Sequence, residues 1–177
     1  RVAYIDEGQG PPVVLLHGCP FHAFQWRDLL PRLGDTRRVL APDLLGLGYT
    51  EIAAGQDVSF PAEARMLAEL CDALDLAEID LVGKNSGCAI PQLFAARHPS
   101  RLRSLTLTNC DVHENLPPAA AQPIVEAART GALAEATRMM LADPEMARSM
   151  GGLGVGYADP SVLTDETIRL YLEPVLA

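Results

Sequence analysis

An apolar strand, Ile79 to Val82, runs into the turn Gly83-Lys84-Asn85-Ser86-Gly87, and a helical stretch follows at once. A strand–turn–helix with small residues at both ends of the turn forms an elbow. It lifts its central side chain above the C-terminal edge of a sheet, where that side chain can attack a bound substrate. The central residue here is Asn85. An amide donates and accepts hydrogen bonds but carries no negative charge and does not attack carbon. The sequence therefore holds the place of a nucleophile and fills it with a residue that is not one. Deamidation of Asn85 before the small residue Ser86 would supply a carboxylate. Ser86 itself is the other candidate nucleophile, although its own frame, Lys84 to Cys88, lacks a small residue at the first position.

The elements that must position this turn alternate. Val13 to Leu16 is a short buried strand ending at His17-Gly18, and Trp26 to Leu33 reads as a helix stopped by Gly34. Arg38 to Ala41 is the next strand, halted by Pro42-Asp43. Pro61 suits the first turn of a helix whose apolar face is Ala64, Leu67, Ala68, Cys71 and Leu74. The helix after the elbow runs from Ser86 to Arg97, and Leu102 to Thr108 is a further strand. A strand-like segment, Val2 to Asp6, opens the chain. Strands joined by helices through short connections predict an α/β fold, a doubly wound and mostly parallel sheet with helices on both faces. Ligands then bind beyond the C-terminal strand ends, where His17, Asp43, Asn85 and Asn109 to Asp111 all fall. After Pro117-Pro118 the pattern becomes helical, with helices over 119–130, 133–141 and 164–172 and no strand between them.

The chain has 177 residues, 49% of them apolar, and a net charge of −9. That charge argues against nucleic acid and anionic membrane as partners. No apolar run approaches the length of a membrane span, and the expected location is cytoplasmic. The four cysteines, Cys19, Cys71, Cys88 and Cys110, form no CxxC pair and no metal-ligand cluster. Free thiols are expected, with no metal and no cofactor. The glycine run Gly151 to Gly156 has neither a preceding strand nor a following GK[ST], so it reads as a joint between helices and not as a phosphate loop.

With Leu15-Leu16-His17-Gly18-Cys19-Pro20, Pro42-Asp43-Leu44-Leu45-Gly46-Leu47-Gly48 and the elbow followed by Gln92 to Pro99, the sequence resembles the α/β-hydrolases. It is most similar to their aspartate-nucleophile branch of haloalkane dehalogenases, haloacetate dehalogenases and epoxide hydrolases. The resemblance implies an N-terminal part of the hydrolase core over residues 1–112 and a helical cap over 113–177. It also implies a small apolar substrate whose carbon–halogen or epoxide bond is opened by an elbow carboxylate. Asn85 stands at the nucleophile position. Cys19 and Ser86 are the residues whose backbone N–H groups would hold an oxyanion. Asn109 occupies the position equivalent to the catalytic acid, with Asp111 as a second candidate, and Trp26 and His17 are candidate substrate contacts. The family's catalytic His lies near the C-terminus, and no His follows His113. The chain alone is therefore expected to be an impaired or incomplete hydrolase, completed by a second polypeptide or a C-terminal segment. The alternatives are a serine-type esterase using Ser86 and a catalytically silent member that binds a ligand or a partner.

Overall fold

The structure is a computed structural model and describes residues 1–110 and 117–176. They form two compact units, divided between residues 116 and 117. In the first unit five strands, β1 (Tyr4–Glu7), β2 (Pro12–Leu16), β3 (Arg38–Pro42), β4 (Ile79–Lys84) and β5 (Leu102–Thr108), make one sheet in the order β1-β3-β2-β4-β5. All neighbours are parallel except β1, which runs antiparallel to β3 with Tyr4 opposite Pro42. The doubly wound, mostly parallel α/β architecture expected from the sequence is present.

Alternation along the strands sorts side chains to the two faces, because successive residues of a strand point in opposite directions. Val14, Leu16, Leu40 and Leu81 pack on one face against helices α2 (Phe60–Ala73) and α3 (Ala89–Arg97). Val13, Leu15, Val39 and Ala41 pack on the other against Trp26 and Leu30. Helix α1 (Leu30–Gly34) carries Leu30, and a 3-10 turn over Ala23–Trp26 precedes it. The single helix expected from Trp26 to Leu33 is thus two shorter pieces. Pro31 has no N–H to give to a continuing helix and sits in the first turn of α1 instead. Helix α2 begins as its sequence indicates, with the Ser59 hydroxyl accepting the Ala62 N–H at 3.4 Å and a proline in the first turn.

Strand β5 lies at the edge of the sheet. Five of its seven residues are exposed, with Leu105 and Leu107 each 39% accessible. At the opposite end of the strands from the elbow, Asp80 ties the edge together. It accepts from Arg103 at 2.8 Å, Arg37 at 2.6 Å and the Ser104 hydroxyl at 2.7 Å.

The expectation of free thiols is corrected in part. Cys88 and Cys110 form a disulfide, with Cα atoms 5.5 Å apart, while Cys19 and Cys71 are free. A separation of 22 residues conceals their proximity in the sequence. Because β4 and β5 are paired with Lys84 opposite Thr108, the residues just beyond the two strands meet.

The second unit is helical: α4 (Gln122–Thr130), α5 (Ala132–Ala142), α6 (Pro144–Arg148) and α7 (Asp165–Leu172). The five-residue α6, capped by the Asp143 carboxylate, is too short for periodicity to reveal. Among the described residues no helix is long and apolar enough to cross a membrane.

Candidate active site

The elbow is built by close approach. Strand β4 delivers Asn85 to its C-terminal end, where Asn85 takes a left-handed backbone with φ of 57°. That conformation is strained for any residue with a Cβ, although Asn tolerates it better than most. The chain then winds through a 3-10 turn over Asn85–Cys88 into α3. A Cβ on Gly87 would lie 2.2 Å from the His17 carbonyl oxygen, and one on Gly83 would lie 2.6 Å from Pro91 Cγ. Both ends of the turn must therefore lack side chains. Gly18 is equally confined, since a Cβ there would come within 2.9 Å of Asn85 Cβ. The His17-Gly18 turn after β2 is thereby pressed onto the elbow.

This contact brings the two expected backbone donors to one place. The Cys19 N–H donates to Ser86 Oγ at 2.9 Å, and the Ser86 N–H donates to Asn85 Oδ1 at 2.7 Å. The start of α3 adds the positive end of its dipole to the same spot. A carboxylate at position 85 could rest one oxygen on the Ser86 N–H and present the other to substrate. Asn85 rests its oxygen there and presents an NH2 group, which is a donor.

His17 is fully buried, and both ring nitrogens are engaged. Nε2 accepts the Leu44 N–H at 3.0 Å, and Nδ1 lies 3.1 Å from the Gly18 carbonyl. Burial lowers its pKa to about 4, only partly opposed by the Gly18 carbonyl and Asp43. It is a neutral brace between the β2 and β3 loops and has no lone pair left to act as a base. Asp43 is also buried and anchors the loops by accepting from the Ala23 N–H at 2.7 Å and the Tyr49 N–H at 2.9 Å. Trp26 packs in the cluster on the α1 face of the sheet. Asn109 follows β5 as Asn85 follows β4, and it too has a positive φ, of 54°. The two amides thus occupy equivalent places on adjacent strand ends. Asp111 lies outside the described residues.

A cavity of about 370 Å³ opens beside the elbow. Cys19 and Ser86 border it, and Leu44, Leu47, Ile52, Val58, Phe60 and Ile90 give it apolar walls. Neither Trp26 nor His17 is among its lining residues. Glu63 is, and the sequence reading passed over it. Its Oε1 accepts the Leu45 N–H at 2.8 Å, while burial raises the carboxyl pKa to about 7 against the opposing effect of that bond. Its position could have given it away. Phe60, Glu63, Ala64, Leu67 and Cys71 share one helical stripe, and a carboxylate on an otherwise apolar stripe is out of place.

Comparison with known proteins points one way. A family model described as the alpha/beta hydrolase fold matches residues 11–145. Haloalkane dehalogenase 2 of Mycobacterium tuberculosis is 37% identical over 109 residues, covering 62% of this chain and 38% of that protein. The 2-hydroxy-6-oxo-2,4-heptadienoate hydrolase of Pseudomonas putida is 41% identical over 105 residues, 58% of this chain and 38% of that one. The chain thus spans well under half the length of these curated relatives. Among solved structures, an alpha/beta hydrolase fold protein from Burkholderia ambifaria superposes with a TM-score of 0.78 at 26% identity, over 99% of this chain and 63% of the other.

Proposed function

Because the chain belongs to the alpha/beta hydrolase fold family, we propose that its elbow is a site for small apolar substrates opened at a carbon–halogen or epoxide carbon, held here in a form that binds without completing the reaction. The observation that carries this reading is the convergence at the elbow. Asn85 at φ 57° rests its side-chain oxygen on the Ser86 N–H, the Ser86 hydroxyl takes the Cys19 N–H, and Cys19 and Ser86 border an apolar cavity. In the full reaction a carboxylate displaces the leaving group and forms an ester, which activated water then cleaves. An amide at position 85 stops the first step. His17 does not offer itself for the second, being neutral with both nitrogens engaged.

Residues 1–112 serve as the core and 113–177 as the cap in this reading, and Asn109 or Asp111 stands in the place of the acid. A second polypeptide or a further segment supplies the missing base and pairs with β5, whose edge position and exposed leucines favour such a partner. A cytoplasmic location belongs to the same proposal, with the Cys88–Cys110 disulfide standing against it, since such bridges are rare in a reducing compartment. The esterase alternative through Ser86 is less well supported, because the positive φ sits at Asn85 and the Ser86 hydroxyl accepts the Cys19 N–H.

The test is intact mass and peptide mapping after incubation with a haloalkane, an epoxide and a p-nitrophenyl ester. The proposal expects no adduct on the chain as it stands, unless Asn85 has deamidated. A covalent adduct on Ser86 would overturn the proposal in favour of the esterase.

A further inference from the structure

The end of β5 is tied down twice within three residues. Thr108 closes the ladder opposite Lys84, and Cys110 is bonded to Cys88, the last residue of the 3-10 turn between the elbow and α3. Asn109 alone joins the two ties, and it takes a left-handed backbone with φ of 54°. A residue with a Cβ keeps that conformation only where its surroundings impose it. At Asn85 packing imposes it, because Gly18 and Gly87 leave no room for a Cβ between the elbow and the His17-Gly18 turn. Asn109 is exposed, so packing does not. Its restraints among the described residues are the ladder before it, the bridge after it and the Thr108 hydroxyl, which donates to Asn109 Oδ1 at 2.9 Å. Of these the bridge is the one that redox chemistry can open.

We propose that the Cys88–Cys110 bridge is a redox latch. Closed, it fixes Asn109, at the place of the acid, in its left-handed turn; opened by a dithiol, it releases that turn while the elbow stays built. The two sulfurs are unequally placed. Cys88 is fully buried and Cys110 half-buried, so the reductant enters from the Cys110 side. A thiolate of the reductant attacks Cys110 Sγ, the S–S bond breaks, and Cys88 leaves as a thiolate that takes up a proton. The second thiolate of the reductant then displaces Cys110, which is protonated in turn, and the reductant closes as its own disulfide. Two electrons pass from reductant to bridge. The freed Cys88 already has a partner: its Sγ lies 3.6 Å from the Thr108 carbonyl oxygen, within the range of a weak S–H donor. Gln92 Nε2 donates to the Cys88 carbonyl at 3.1 Å independently of the bridge. In the cytoplasmic location of the proposed function, a disulfide is ordinarily transient and redox-sensing. The inference rests on the proposed function only for the meaning of position 109 as the place of the acid, since the latch itself involves no substrate.

The test is NMR on the isotope-labelled full chain, before and after reduction with dithiothreitol, and on Cys110→Ser. A positive φ brings the amide and α protons of one residue close together, so their cross-peak is strong, whereas an extended residue gives a weak one. In the oxidised protein Asn85 and Asn109 should both give the strong peak. In the reduced protein and in Cys110→Ser, Asn109 should fall to strand-like intensity while Asn85 keeps its own. Reoxidation should restore the Asn109 peak, and circular dichroism establishes that each form is folded. Should Cys110→Ser fail to fold, the reduced wild type carries the test. An Asn109 peak unchanged by reduction overturns the proposal. So does a reduced chain that unfolds or loses both peaks together, which would make the bridge a staple alone. A bridge that dithiothreitol does not open in the folded chain, or that does not reclose, overturns it as well. Ester formation at residue 85 is a separate readout, so this inference and the proposed function can fail independently.

Discussion

Replacing Glu63 by Gln should stabilise the protein at alkaline pH and leave it nearly unchanged in acid. The sign follows from the direction of the pKa change. The carboxyl moves from an ordinary 4.5 to about 7 on folding because burial penalises its charge. Between those values the folded protein holds a proton that the unfolded chain has lost, so folding stability falls as pH rises through the window and levels off above it. At about 1.4 kcal/mol per pKa unit the ceiling is about 3 kcal/mol. Relaxation of the surroundings takes up part of this, and about 2 kcal/mol is the expected effect. His17 acts in the opposite sense. Its pKa is lowered to about 4, so the stability it contributes is lost as pH falls from about 6.5 towards that value. The wild-type profile alone therefore mixes two slopes, whereas the difference between wild type and variant removes the His17 contribution. Urea unfolding of both proteins at pH 4.5 and pH 8.5 measures that difference. A wild type that loses no stability relative to Glu63→Gln between the two pH values would refute the burial argument.

Cys110→Ser, or reduction of the wild type, should lower stability by about 3 kcal/mol, the loop-closure effect of a bridge across 22 residues. Denaturation with and without reductant reads this directly, and an unchanged midpoint would contradict the bridge. Gly87→Ala should cost about 3 kcal/mol or prevent folding, because its Cβ would meet the His17 carbonyl at 2.2 Å and both partners are backbone. Thermal unfolding of the variant measures it, and a melting temperature within a degree of the wild type would show that the elbow is not packed as described.

The centre of the sheet was legible in the sequence because β2, β3 and β4 are short apolar runs that end at or beside a glycine or proline, and a buried strand needs little else. The elbow was legible for a related reason. Gly83 and Gly87 are small because the Pro91 ring and the His17 backbone lie against them, and that constraint is written into the residue types. What lay outside the local pattern was not legible. The Cys88–Cys110 bridge depends on the pairing of β4 with β5. The break between Ala23–Trp26 and Leu30–Gly34 depends on Pro31, which the apolar periodicity of the segment does not register. His17 looked like a substrate contact from its place at a strand end. Only its two bonds, to the Leu44 N–H and the Gly18 carbonyl, show it as a brace. Glu63 was present in the apolar stripe of α2, but what it faces is set by the loop over Leu44 to Leu47, folded onto the helix from elsewhere in the chain.

The central claim is that position 85 is the nucleophile's place and that its amide is what stops the reaction. Asn85→Asp restores a carboxylate whose one oxygen can keep the Ser86 N–H, without changing the shape of the turn. Incubated with 1-bromohexane and examined by intact mass and peptide mapping, Asn85→Asp should accumulate a hexyl ester on residue 85, while the wild type stays unmodified over the same period. Equal modification of both proteins, or a label on Ser86 in place of residue 85, would contradict it.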